Sequence, residues 1–251
     1  MLTLSNRDDF DTLLDAITLA ADNENPAIIY VETEREPVVV SRHAYRARIL
    51  DTVAALKALG IRPRDLVIIA HTQSLESVYT FWGLLALGAV PSMFPTLTEK
   101  LDPNVYMNNL GELVRLSAVS AVLTTDEFAP VVRPRMICPV FSATDITLSS
   151  RQSTNDLPQP HPDDIAFLQH SSGTTGLQKG VALNHAAVLN QLAAYSEAIE
   201  LSETDVIVSW LPLYHDMGLI AGFLLPLMQG VPLVLMSPFD WVNHPALLFP
   251  A

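Results

Sequence analysis

The chain has 251 residues with 14 basic and 27 acidic side chains, a formal net charge of −13. That balance argues against a nucleic-acid binder, whose affinity comes mainly from Lys and Arg set against phosphates. The length suits one or two domains at about 150 residues each and is ample for a well-buried core.

Charged residues make up 16% of the chain and hydrophobic ones 49%, against about 25% charged in an average soluble domain. Such a low charge density suits a sheet covered on both faces, or a chain that buries surface against something else. The single cysteine, Cys138, excludes an internal disulfide framework. The opening MLTLSNRDDFDTLL lacks the basic-then-apolar pattern of a secretory signal, so a cytoplasmic, reducing compartment is expected.

From His43 to Leu59 the apolar residues Ala47, Leu50, Val53, Ala54 and Leu56 recur at helical spacing, and Gly60 follows where a helix stops. Leu66 to Ala70 reads as a fully buried strand. Ser74 can cap a second helix through Leu87, Gly88 can end it, and Ala89 to Phe94 reads as another strand. A helix from Val105 to Leu116 is expected next, then strands at Ser117 to Thr125 and Met136 to Phe141. Strands separated by helix-length segments imply right-handed crossovers, so the fold class is α/β with mostly parallel sheets flanked by helices.

Two uncharged stretches, Ser77 to Thr98 and Met217 to Met236, are long enough to span a membrane. Glycines and prolines punctuate both, and a buried helix running into a buried strand is the better reading. The segment from Ser149 to Asp164, SSRQSTNDLPQPHPDD, reads as a surface linker. It divides the chain into a first α/β part, 1–148, and a second, 165–251, which opens with a buried strand at Ile165 to Gln169.

Residues His170 to Gly180 read HSSGTTGLQKG, four hydroxyls and three glycines with a lysine near the end. Glycines let backbone N–H groups converge into a nest, hydroxyls add donors and a lysine adds a point charge, so the segment suits phosphate oxygens. A plain Ser/Gly-rich hairpin loop is the alternative. It is not a Walker loop: Gln178 precedes Lys179, Gly180 follows, and a strand-like run Val181 to Leu183 comes before the next helix. That helix is expected to start near Asn184, as N-cap, and to end near Ile199.

SSGTTGLQKG resembles the phosphate-binding signature of the adenylate-forming superfamily, which includes acyl-CoA synthetases, fatty acyl-AMP ligases and nonribosomal adenylation domains. One departure is Gln178, where the superfamily most often has proline. A second segment, LPLYHDMG at Leu211 to Gly218, resembles the aromatic-plus-histidine motif of the same superfamily, in its fatty acyl-AMP ligase version. A strand end in which His215 is hydrogen-bonded to Asp216 is the plainer alternative there. Upstream, ALGIRPRDLVIIAHTQSLESVYTFWGLLALGAVP is similar to the helix, strand, helix and strand that precede the superfamily's phosphate loop.

The resemblance implies attack of a carboxylate on the α-phosphorus of ATP, with Mg²⁺, giving an acyl-adenylate that a thiol of CoA or an acyl carrier protein later accepts. By the same resemblance Ser171, Ser172, Gly173, Thr174, Thr175, Gly176 and Lys179 hold the phosphates and His215 orients the reacting carboxylate. Trp210, Tyr214, His215, Met217 and Gly218 border the acyl substrate, a fatty or other carboxylic acid. The superfamily's adenine- and ribose-binding motifs and its C-terminal domain have no counterpart in these residues. An incomplete N-terminal adenylating domain, inactive alone, is therefore expected, with a non-catalytic remnant or binding module as the alternative. Apolar surface around Met217 to Met236, left uncovered, would drive association. His71 reads as a surface histidine or a ligand contact at a strand's carboxyl end, and Cys138 as buried and inert. His161, His170, His185 and His244 show no metal-ligand spacing.

Overall fold

The structure is a computed structural model, and it describes residues 10–18, 20, 22–97, 102–149, 157–170 and 180–248. In chain order the elements are α1 (Asp15–Thr18), β1 (Pro26–Val31), β2 (Val38–Ser41), α2 (Arg42–Ala58), β3 (Leu66–Ala70), α3 (Leu75–Leu87), β4 (Val90–Met93), α4 (Pro103–Leu116), β5 (Ala121–Thr124) and α5 (Ala129–Val132). They continue with β6 (Val140–Ser142), α6 (Ala143–Ser149), β7 (Ile165–His170), β8 (Gly180–Asn184), α7 (His185–Ala198), β9 (Ile207–Ser209), a π-helix (Met217–Leu224), α8 (Leu225–Gln229), β10 (Leu233–Met236) and α9 (Pro238–Asn243).

Two sheets result. One has the order β6-β5-β3-β4-β7-β8, parallel except for the β7–β8 hairpin. The other has the order β2-β1-β10-β9, parallel except for β2. Alternation along the strands assigns their faces. Val67 and Ile69 of β3, Ile28 and Tyr30 of β1, and Leu233 and Leu235 of β10 share one core with α2, α3 and α7. Ile68 and Val122 turn to a second cluster under α4, and Val31, Val234 and Met236 turn to a third, small one. Helices thus fill the space between the sheets, and the fold class is that expected.

The central helix shows why. Every residue of α3 from Ser77 to Leu87 is buried, as befits a helix apolar on all sides. The Ser74 side chain accepts from the Ser77 N–H while Ser77 reaches back to the Ser74 N–H, a reciprocal cap. Gly88, at φ +81°, stops the helix in the left-handed conformation glycine tolerates. A Cβ at Gly83 would lie 2.6 Å from Thr52 Cγ2, so its absence lets α2 approach. Phe81 packs 5.8 Å from both Phe167 of β7 and Phe223 of the π-helix, joining elements of the two sheets through one ring.

Several expectations are corrected. Helix α4 begins at Pro103, because Asp102 accepts from the N–H groups of Asn104 and Val105 and proline suits the first helical position. The strand expected from Ser117 is confined to Ala121–Thr124: Ser117 ends α4 and Ala118 sits at φ +50°. The strand expected at Met136 to Phe141 is β6, Val140–Ser142, since the preceding Ile137 is 79% exposed and unpaired. Cys138 is half-buried, not buried.

Strands on both sides of 149–164 enter each sheet: β7 pairs with β4, and β1 with β10. Ser149 still belongs to α6, and 157–164 lies at the surface. The Met217 to Met236 run is buried or half-buried in the protein's own core apart from Met217. The Ser77 to Thr98 run is α3 leading into β4. Among the described residues no helix is long and apolar enough to cross a membrane.

Candidate functional site

The parallel strands β3, β4 and β7 are neighbours, so their carboxyl ends lie side by side, where open α/β sheets bind ligands. After β3 come His71, Thr72 and Gln73; after β4, Thr96 and Leu97; after β7, the SSGTTGLQK segment. His170, the last residue of β7, pairs across the hairpin with Gly180, the first of β8. The segment therefore joins two antiparallel strands, and Asn184 caps α7 through the Ala187 N–H at 2.8 Å. A Cβ at Gly180 would lie 2.6 Å from Leu168 Cδ2, so glycine lets the two strands close. Ser171, Ser172, Gly173, Thr174, Thr175, Gly176 and Lys179 lie outside the described residues.

His170 ties the hairpin to the sheet. Its Nδ1 is 2.9 Å from Ser92 Oγ on β4, and its ring meets Phe94 edge-on at 5.7 Å. Burial lowers its pKa and favours the neutral ring. His185 is also buried: its Nδ1 accepts from the Leu13 N–H at 3.2 Å, and burial lowers its pKa too. Among the described residues no three His, Cys, Asp or Glu side chains gather to hold a metal.

The Leu211 to Gly218 segment follows β9 and turns into the π-helix. The His215 N–H bonds to the Pro212 carbonyl at 3.1 Å and the Leu219 N–H to the His215 carbonyl at 2.8 Å. A Cβ at Gly218 would run into the Pro212 carbonyl oxygen, and one at Gly222 into Ser209 Oγ. Asp216 accepts from the Met217 N–H at 2.8 Å, so its carboxylate caps the π-helix, and no bond joins it to His215. The His215 ring is exposed, 4.7 Å from that of Tyr214.

Tyr214 enters a cavity of about 700 Å³. The carboxyl ends of β3 and β4 contribute His71, Gln73, Met93, Thr96 and Leu97, the motif contributes Leu213 and Tyr214, and the segment after β10 contributes Phe239, Val242 and Asn243. None of the described lining side chains is formally charged. Burial raises the Tyr214 pKa and keeps the phenol protonated. Of the other residues expected at the acyl substrate, Trp210 lies elsewhere, stacked on Trp241 at 3.7 Å beside the outer face of the four-stranded sheet. Met217 is exposed, while Gly218 is packed against its own turn.

His71 is half-buried in the cavity wall rather than a free surface residue. Its Nδ1 is 2.9 Å from the Thr72 carbonyl oxygen. Burial, opposed by the Thr72 hydrogen bond and by Glu76 and Asp126, lowers its pKa. Gln73 donates from its amide nitrogen to the Met236 carbonyl at 2.8 Å, and its main-chain carbonyl accepts from the Tyr30 hydroxyl at 3.1 Å. One residue after β3 thus links to both β10 and β1. The carboxyl-end rule marks His71, Gln73 and Thr96 once the strands are placed. Phe239 and Val242 carry no such local signal, since their place depends on where β10 docks.

The AMP-binding enzyme family matches residues 18–250 of this sequence. The chain belongs to the AMP-binding enzymes. Among similar members, 4-hydroxyphenylalkanoate adenylyltransferase of Mycobacterium tuberculosis is 35% identical over 197 residues, 72% of this chain and 31% of that protein. The long-chain-fatty-acid–AMP ligase FadD32 of Mycolicibacterium smegmatis is 35% identical over 208 residues, 77% of this chain and 31% of that protein. The fold matches that of the fatty acyl-adenylate ligase from L. pneumophila, solved in complex with acyl adenylate and pyrophosphate. The TM-score is 0.81 at 26% identity, covering 96% of this chain and 42% of that one. This AMP-binding chain spans about a third of the length of these curated relatives.

Proposed function

We propose that these residues form the phosphate-loop and acid-binding portion of an adenylating site. The reaction is ATP-dependent activation of a carboxylic acid, fatty or aryl-bearing, to an acyl-adenylate. A carboxylate oxygen attacks the α-phosphorus, the bond to the bridging oxygen breaks, and pyrophosphate leaves with its electron pair. The acyl group then passes to a thiol of CoA or of a carrier protein.

The observation that carries this reading is that β7, which SSGTTGLQKG follows in the chain, pairs at Gln169 with Met93 of β4, a residue of the uncharged cavity that Tyr214 lines. Catalysis of such a transfer rests on positioning and electrostatic stabilisation. Ser171, Ser172, Thr174, Thr175 and Lys179 would hold the nucleotide's phosphates through hydroxyls, backbone N–H groups and one ammonium. ATP, carried with Mg²⁺, would supply the electrophilic phosphorus. His215, exposed beside Tyr214, would face the reacting carboxylate. The net charge of −13 opposes binding of a polyanion only weakly, because screening limits distant charges to about 8 Å at physiological salt.

Equilibrium dialysis with ATP and carboxylate-dependent ATP–pyrophosphate exchange test the reading together. ATP binding that weakens about tenfold or more in Lys179→Ala is expected, given a charge-assisted contact of about 1.5–3 kcal/mol. ATP binding unchanged in that variant would remove the phosphate-loop assignment. Binding of ATP and acid without exchange would make the chain a binding module that retains the fold.

A further inference from the structure

The two walls of the Tyr214 cavity come from different sheets, and one side chain crosses between them. The Gln73 amide nitrogen, just after β3, donates to the Met236 carbonyl at the end of β10 at 2.8 Å. The Gln73 main-chain carbonyl accepts from the Tyr30 hydroxyl of β1 at 3.1 Å, so the residue is anchored at both its backbone and its tip. Among the described residues no other hydrogen bond joins the segments after β3 and β4 to the stretch from Met236 to Asn243.

Directly after Met236 the chain turns into α9, with Ser237 accepting from the Phe239 N–H as its cap. Phe239 and Val242, three apart and so on one face of the helix, line the cavity together with Met93 and Leu97 of the other wall. They are 51% and 65% exposed, and no residue of α9 is buried. The remaining ties of α9 run to the four-stranded side: Trp241 stacks on Trp210 at 3.7 Å, and the Thr33 hydroxyl donates to Asp240 at 3.4 Å. Helix α9 therefore rides with β1 and β10, and Gln73 fixes its distance from the ends of β3 and β4.

A glutamine here carries a cost that packing does not explain. Its Oε1 is sealed off and has no partner, which is unfavourable and rare in folded chains. A methionine would span the same length without a bare oxygen, but it could not donate to Met236. What the amide adds over an apolar side chain is the donor.

We propose that Gln73 is a positioning residue that sets the width of the acid cavity, and through it the girth of the acid tail that the protein accepts. This rests on the reading of the cavity as the acid's site. Gln73 acts without touching the acid: it holds the carbonyl from which α9 hangs, and α9 presents the apolar side chains that the tail meets. Without the donor the Met236 carbonyl turns toward water, and the wall it carries moves outward. A slender tail then loses contact with Phe239 and Val242, while a broad tail gains room.

Isothermal titration of the 251-residue chain with octanoate, a slender tail, and 4-phenylbutanoate, a broad one, tests this. In Gln73→Met the affinity for 4-phenylbutanoate relative to octanoate is expected to rise about tenfold, the low end of what one methylene of misfit is worth in an apolar pocket. The ratio separates positioning from stability, because a merely structural role weakens both acids alike. Should Gln73→Met fail to fold by circular dichroism, Gln73→Asn, whose amide falls one methylene short of Met236, is read in its place. An unchanged or lowered ratio in the folded variant, or equal weakening of both acids, overturns the proposal. If the wild type binds neither acid, the reading of the cavity as the acid's site fails, and the proposal falls with it.

Discussion

The two sheets are assembled differently. The six-stranded sheet comes from one continuous stretch, Leu66 to Asn184; its strands β3 and β5 are buried on both faces, inside against α2 and α3 and outside against α4, while its edge strand β8 is largely exposed. The four-stranded sheet joins β1 and β2 to β9 and β10, which lie far along the chain. Its inner face shares the main core, while among the described residues its outer face meets the small cluster around Trp210, Trp241 and Leu247. The cavity lies where the carboxyl ends of the two meet, one wall from β3 and β4 and the other from the segment after β10. The better-buried sheet thus supplies the fixed wall, and the less-covered sheet supplies the wall held by few contacts.

The largest expected effect removes the element the sheets share. Phe81→Ala deletes a fully buried ring that touches Phe167 and Phe223 and should cost about 3–5 kcal/mol, read by denaturant unfolding as one cooperative loss of both sheets. Leu110→Ala, fully buried under the outer face of the six-stranded sheet, should cost about 2–5 kcal/mol. Its partner in the comparison, Trp241→Ala, loses a stacked pair on the outer face of the other sheet, about 0.5–1.5 kcal/mol beyond the burial of a half-buried ring, and should cost less than Leu110→Ala. A Trp241 variant as damaging as the Leu110 variant would make the two outer faces equivalent.

Acid should act on the ties between distant segments. His185 accepts from Leu13, 172 residues away, and burial lowers its pKa below the usual 6.5 despite Asp164 and Asp15. The folded state then binds fewer protons than the unfolded chain, so stability should fall as the pH drops from about 6.5 toward the depressed value. His170 and His71 shift the same way. Asp126 and Asp205, whose pKa values are lowered by hydrogen bonds, act only in the separate window below 3.8. Melting curves from pH 7 to pH 5 should therefore be flatter for His185→Gln, whose amide oxygen can accept from Leu13 without titrating; an unchanged slope would assign the acid sensitivity elsewhere.

Local signals were enough where local interactions decide. The apolar run Leu66 to Ala70 and the Ser74 cap with Gly88 as stop fix β3 and α3 to the residue, and Asn184 as N-cap marks the start of α7, because capping and period act within a turn or two. Signals failed where pairing is non-local. β10 lies between β1 and β9, more than two hundred residues from β1 in the chain, and only that pairing places it at the centre of the four-stranded sheet. Met136 to Cys138 looked strand-like but have no neighbour to pair with.

By itself the sequence determined the parallel α/β class, the strand-to-strand character of the SSGTTGLQKG segment and the likeness to adenylate-forming enzymes, since these reside in short patterns of hydroxyls, glycines and apolar period. Only the tertiary structure decided that Tyr214 shares a cavity with His71, Gln73 and Phe239, that Trp210 stacks elsewhere, and that Asp216 caps a helix instead of holding His215. Those outcomes depend on which surfaces meet when two sheets close on one core, and burial of that core is a property of the whole chain rather than of any window within it.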